Sequence, residues 1–192
     1  MSIVGRFGLS DKVAVVTGAS SGLGVAFALA LAEAGANLVL GARRQSGLEK
    51  TQRLVEKAGS KALAVVTDVT DPGQCQRLVS SAVEEFGRVD VLVNNAGLGT
   101  AVPASRETPD EFRQVIDVNL HGCYWMAQAC AKAMKPGSSI INVGSVLGST
   151  SAELPQAAYA SSKAALIGLT RVLPHRDDRS IRGRLPGKSG PT

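Results

Sequence analysis

Two groups of residues in this chain have types and spacing that could do chemistry. Tyr159 and Lys163 stand four apart in a run, Gln156 to Val172, with the composition of a helix, so their side chains share one helix face. A phenol with an ordinary pKa of about 10 exchanges protons poorly at neutral pH, and a neighbouring ammonium favours the phenolate. The pair is a candidate general acid and base with Tyr159 carrying the proton; the alternative is a solvated Tyr–Lys pair on a helix surface. The second group is Gly18, Ser20, Ser21, Gly22, Leu23 and Gly24, a turn between the apolar run Val13–Val16 and the helix-forming run Val25–Glu33. A strand–turn–helix join aims free N–H groups and a helix dipole at one spot, which suits a pyrophosphate, and the glycines let a ligand come close. Glycines serving only a tight turn are the alternative here. Gly18-Ala19-Ser20-Ser21-Gly22 also satisfies the Gly-x-Ser-x-Gly of a hydrolase nucleophile turn. His121 and His175 are the only histidines that could serve it as a base, the first on a predicted helix and the second in a poorly patterned tail, so a triad is the weaker reading.

The elements that must position these residues alternate regularly. Further strands are predicted at Asn37–Gly41, Lys61–Val66, Val89–Val93 and Ile140–Val143, from their apolar and β-branched content. Helices are predicted at Gln45–Ala58 and from Asp71-Pro72 onward, the latter with Leu78, Ala82, Val83 and Phe86 on its buried face. A long helix opens at Thr108-Pro109-Asp110-Glu111, runs to about Met134 and is closed by Pro136-Gly137, a capped pattern at both ends. Five β-α units imply an α/β, doubly wound, mainly parallel sheet with helices on both faces and ligands at the C-terminal ends of the strands. At 192 residues with 44% hydrophobic content, the chain can bury a sizeable core. Of the net charge of +5, +3 falls in residues 173–192, so the body is nearly balanced and a nucleic-acid partner is not expected. No apolar run is long enough for a membrane span and no export signal opens the chain. Cys75, Cys123 and Cys130 form no metal-binding or disulfide pattern, so no metal is expected and a reducing, cytoplasmic location fits.

The glycine turn, Asn94-Asn95-Ala96-Gly97, Asn119, Ser145 and Tyr159-Ala160-Ser161-Ser162-Lys163, in that order, make the chain resemble the short-chain dehydrogenase/reductase family from about Leu9 to Leu169. The resemblance implies a Rossmann fold and the interconversion of a carbonyl and an alcohol by hydride transfer, as in the 3-oxoacyl-carrier-protein reductase and general carbonyl reductase branches. It implies that Tyr159 gives the proton, that Lys163 also bonds the nicotinamide ribose, that Ser145 holds the substrate oxygen, and that Asn119 loosens its helix and binds a relay water. Asp68 and Val69 would contact the adenine, and Asn95, Ala96 and Gly97 would shape the pocket beside the adenosine. Read without the resemblance, Ser145 could make a local backbone bond and Asn119 could be a helix-packing amide.

Cofactor choice follows from the second strand. An NAD site wants a carboxylate about 20 residues past the glycines for the ribose 2′-OH; Ala42 stands there, followed by Arg43 and Arg44, which favours NADP(H) over NAD(H) unless the arginines are merely solvated. Residues 1–172 are expected to form the NADP(H)-binding domain with the catalytic residues, and 173–192 an atypical, disordered basic tail. The family's usual last two strands are not recognisable there, so a C-terminally truncated or altered member is expected, with the fifth strand left as an apolar sheet edge. A non-catalytic or weakly active NADP-binding protein is therefore the alternative function. A homo-oligomer through the helices at 108–134 and 156–172 is a further expectation, with Tyr124, Trp125 and Met126 as contacts or, equally, as core.

Overall fold

The computed structural model describes residues 8–150 and 153–173. Strand β1 (Val13–Thr17) is buried along its whole length and pairs in parallel with β2 (Asn37–Ala42) and β4 (Val89–Asn94). β3 (Ala62–Val66) extends the sheet beyond β2, and β5 (Met134–Asn142) extends it beyond β4, giving the order β3-β2-β1-β4-β5, all parallel. Successive side chains of a strand point to opposite faces, and the core splits accordingly. Val13, Val15 and Val39 meet Leu78, Val79, Ala82, Met126 and Cys130 on one face. Ala14, Val16, Leu38 and Leu40 meet Ala28, Ala32, Leu48 and Val55 on the other. Each such Leu or Val contributes about 1.5–3 kcal/mol on leaving water. The sheet is therefore doubly wound, with five strands among the described residues.

The helices on these faces are α1 (Leu23–Glu33), α2 (Gln45–Lys57), α3 (Pro72–Phe86), α4 (Pro109–Ile116), α5 (Gly122–Ala133) and α6 (Ala157–Val172). Asp71 caps α3 by accepting from the Gly73 and Gln74 N–H groups at 2.7 and 3.1 Å, and Gly87, at φ +76°, ends it. Thr108 and Glu111 form a reciprocal capping box on α4. On α3 the buried residues are Cys75, Leu78, Val79 and Ala82, whereas Val83 is exposed, so the apolar face is rotated from the one expected.

Two further expectations are corrected. The long helix from 108 to 134 is not continuous: a π-helical turn, Asp117–His121, separates α4 from α5, the loosening at Asn119 that the family resemblance implied. The fifth strand starts at Met134 rather than Ile140 and takes in Pro136-Gly137, which thus does not cap α5. Met134 pairs with Val89 and Ser139 with Val91. The extra residues bulge out, Gly137 adopting φ +88°, before the apolar pairing of Ile140 and Ile141 resumes. Among the described residues β5 is an edge, with Ile141 47% exposed. Met126 is core rather than an exposed contact, while Tyr124 is exposed and packs edge-on against Trp125 with ring centroids 5.0 Å apart. At the opposite end of the sheet, Asp90 accepts from the Val13 N–H and from Nε and Nη2 of Arg88, tying the starts of β1 and β4. The tail expected to be disordered lies, beyond Leu173, outside the described residues.

Candidate active site

The C-terminal ends of β1, β2 and β4 open onto a cavity of about 680 Å³ lined by Gly18, Ser20, Ser21, Leu23, Arg43, Arg44, Asp68, Val69, Asn95, Ala96 and Gly97, together with Ala42, Thr67, Leu98 and Val118. That size suits a small-molecule or cofactor site. The glycine turn is held from three sides. Gly18 takes φ +67°, and a Cβ there would stand 2.8 Å from Asn95 Nδ2. Gly24 is buried with no room for a Cβ, which would fall 2.3 Å from the Gly18 carbonyl oxygen. From the α2 side, Thr51 Oγ1 donates to the Ala19 carbonyl at 2.8 Å.

Gly22, at φ +57°, is the N-cap of α1 and supplies no side-chain cap, so the helix terminus keeps its affinity for an anion. Arg44 Nη2 donates to Ser21 Oγ at 2.8 Å, bringing a guanidinium to the glycine turn. Asp68 Oδ1 accepts from the Thr70 N–H and hydroxyl at 3.0 and 2.9 Å, which sets the Asp68-Val69 turn. These groups fit a dinucleotide: an uncapped helix end for the pyrophosphate, an arginine beside it, and a pocket without a carboxylate at Ala42.

Sequence reasoning missed Thr17. Its buried hydroxyl accepts from the Asn95 and Ala96 N–H groups, both at 3.0 Å, while Asn95 Nδ2 donates to the Thr17 carbonyl at 2.9 Å. This clamps the β4 loop to the end of β1. No spacing signal marks it, because its partners lie more than seventy residues away.

Tyr159 and Lys163 share one face of α6, with Lys163 Nζ 5.6 Å from the Tyr159 ring centroid. Neither lines the cavity, nor do Gly22 and Gly24. The ammonium donates to the Val143 carbonyl at 2.7 Å, and its burial lowers the Lys163 pKa against the opposing influence of Cys123. The Tyr159 ring is bounded by Gly99, where a Cβ would stand 2.9 Å from Cδ2. Gly99 follows Gly97 and Leu98 out of the cavity wall, so the ring lies beside the continuation of that wall.

Ser145 follows β5 as the N-cap of a short 3₁₀ turn, Val146–Gly148, and its Oγ accepts from the Leu147 N–H at 3.2 Å. The local backbone bond is thus present, and the hydroxyl proton remains available to a ligand oxygen. Gly148 lays this turn directly on α6, since a Cβ there would meet the Lys163 carbonyl carbon at 2.7 Å. Asn119 is fully buried in the π turn; its Oδ1 accepts from the Leu98 N–H at 2.9 Å and its Nδ2 donates to the Leu98 carbonyl at 2.8 Å and to Ser162 Oγ at 3.0 Å.

For the hydrolase alternative, His121 Nδ1 bonds Asp117 at 2.9 Å on the exposed side of the π turn, and His175 lies outside the described residues. Cys75 and Cys123 are buried thiols whose pKa burial pushes up to about 11. No helix among the described residues is long and apolar enough to cross a membrane.

A family profile described as short chain dehydrogenase matches residues 12–181. The chain is 42% identical over 167 residues to an uncharacterized oxidoreductase of Methylorubrum extorquens, covering 86% of this chain and 66% of that protein. It is 38% identical to the 3-oxoacyl-[acyl-carrier-protein] reductase of Vibrio cholerae, over 85% of this chain and 66% of that one. Among solved structures, NAD+-bound xylitol dehydrogenase superposes with a TM-score of 0.81 at 34% identity, over 85% of this chain and 64% of that one. The chain thus spans just under two thirds of the length of these relatives.

Proposed function

The chain belongs to the short-chain dehydrogenase family, and from that premise we propose that it is an NADP(H)-dependent oxidoreductase interconverting a carbonyl and an alcohol. One observation carries the reading: α6 holds the Tyr159 phenol and the buried Lys163 ammonium together, with the ring against Gly99, in the loop that continues the wall of the cavity lined by the glycine turn. The turn and the α1 terminus would hold the pyrophosphate, Arg43 and Arg44 the 2′-phosphate, and Asp68 to Val69 with Asn95 to Gly97 the adenosine. The nicotinamide, when bound, supplies the two-electron hydride chemistry. In reduction, Tyr159 Oη gives its proton to the substrate oxygen, and in oxidation it takes the proton back. The Ser145 hydroxyl donates to that same oxygen and orients it. The Lys163 ammonium, held at Val143, stabilises the phenolate that Tyr159 becomes. Asn119 keeps the π turn open beside them.

Ala42 and the two arginines favour NADPH over NADH by at least about tenfold, since a charged hydrogen bond contributes about 1.5–3 kcal/mol. The Vibrio cholerae relative is a 3-oxoacyl-[acyl-carrier-protein] reductase, and a ketone or 3-oxoacyl group is the proposed substrate class. Fluorescence titration with NADPH and NADH, followed by comparison of the parent with Tyr159→Phe on a ketone panel, tests the reading. Equal cofactor affinities would remove the NADP assignment, and a fully active phenylalanine variant would remove Tyr159 as acid and base.

A further inference from the structure

Ser162 has no surface exposure, and its hydroxyl lies where three elements of the site meet. It accepts from Asn119 Nδ2 at 3.0 Å and donates to the Tyr159 carbonyl at 2.7 Å. A serine hydroxyl has a single proton. With that proton committed to the carbonyl, Ser162 can only accept from the π turn, so it selects the NH2 side of the Asn119 amide. The other Nδ2 proton goes to the Leu98 carbonyl, and Oδ1 takes the Leu98 N–H. Leu98 leads directly into Gly99, which lies against the Tyr159 ring. The loop touching the phenol, the π turn, and the turn of α6 carrying Tyr159 and Lys163 are thereby joined through one hydroxyl.

Building on the oxidoreductase reading, we infer that Ser162 is a positioning residue for this reaction. It touches neither substrate nor dinucleotide. It holds the Tyr159–Lys163 turn in register with the Leu98–Gly99 loop by engaging Asn119 on one side and the Tyr159 carbonyl on the other. The Ser162 hydroxyl bonds back three residues along its own helix, to the turn bearing both functional side chains.

The test compares Ser162→Ala, Ser162→Cys and Ser162→Thr in the full chain. Cysteine fills the space of serine with a far weaker donor and acceptor, so it decides the matter if alanine prevents folding. Threonine keeps the hydroxyl and its bond to the preceding turn. The chain has two tyrosines, so labelling with 13C at Cζ gives two NMR signals, assigned with Tyr124→Phe. The alanine and cysteine variants are expected to displace the Tyr159 signal in the free protein. They should also lower kcat for NADPH-dependent ketone reduction at least about tenfold while KM changes less than about threefold, and threonine should restore both. Parent-like Tyr159 signal and kcat in the alanine or cysteine variant, with only the melting temperature lowered, would overturn the proposal and leave Ser162 as simple packing. If the parent does not bind NADPH, the oxidoreductase reading fails instead, and the Tyr159 signal of the free protein still decides the role of Ser162.

Discussion

Gly24→Ala, at the second residue of α1, and Gly168→Ala, inside α6, make the same chemical change, and the structure gives them opposite signs. Alanine exceeds glycine in helix propensity by about 0.8–1 kcal/mol in a helix interior. At Gly168, in α6, a Cβ would meet nothing within 4 Å and the side is exposed, so the gain is realised. The expected rise in melting temperature is about 2–4 °C for a chain of this size. At Gly24 a Cβ would lie 2.3 Å from the Gly18 carbonyl oxygen and 2.8 Å from Asn95 Nδ2. The first of these is backbone and cannot swing aside. Overpacking of this kind costs about 1–3 kcal/mol or more, which offsets the propensity gain and lowers the melting temperature by several degrees. Because the displaced groups form the glycine turn, NADPH affinity should also fall at least about tenfold, that is, by about 1.4 kcal/mol. Differential scanning calorimetry with a parallel NADPH titration reads both quantities. A Gly24→Ala variant as stable and as tightly binding as Gly168→Ala would refute the packing of the turn described here.

Ala42→Asp, which sets a carboxylate beside the proposed 2′-phosphate, and Arg44→Ala, which removes a guanidinium, should each lower the NADPH-to-NADH affinity ratio at least about tenfold, read by fluorescence titration. Asp90 is held below its ordinary pKa: its burial, the largest influence, pushes the other way and is outweighed by the Arg88 guanidinium, the Val13 N–H and Lys12. Its contribution to stability is therefore complete above about pH 4 and is lost as pH falls through the lower folded value. Asp90→Asn should flatten the dependence of stability on pH below about 4 in urea melts. At pH 8 only about one in a thousand of the Cys75 and Cys123 thiols would be ionised given their pKa of about 11, so iodoacetamide should label these cysteines only after unfolding, as followed by mass spectrometry.

Much of this architecture is legible in the order of residues because local physics writes it. Val13–Val16 have the β-branched density of a strand buried on both faces, which β1 is, Asp71-Pro72 and Thr108 to Glu111 satisfy their helix ends with their own side chains, and Tyr159 and Lys163 share a helix face by spacing alone. The glycine turn likewise follows from the need for positive φ at Gly18 and Gly22. The placement of the candidate site residues and the alternation of elements that carries them were thus determined by the sequence itself. What only the tertiary structure decided are the long-range bonds: Thr17 clamping the β4 loop, Asn119 opening a π turn to reach Leu98 and Ser162, Lys163 engaging Val143, and the bulge that lets Met134 join β5. Each depends on a donor and an acceptor twenty to eighty residues apart being buried together. The capped run from Thr108 reads as one helix through 117–121 although Asp117, Val118, Asn119 and His121 are weak helix formers; the buried Asn119 amide would be costly unpaired, and only the packed sheet and helices supply its partners.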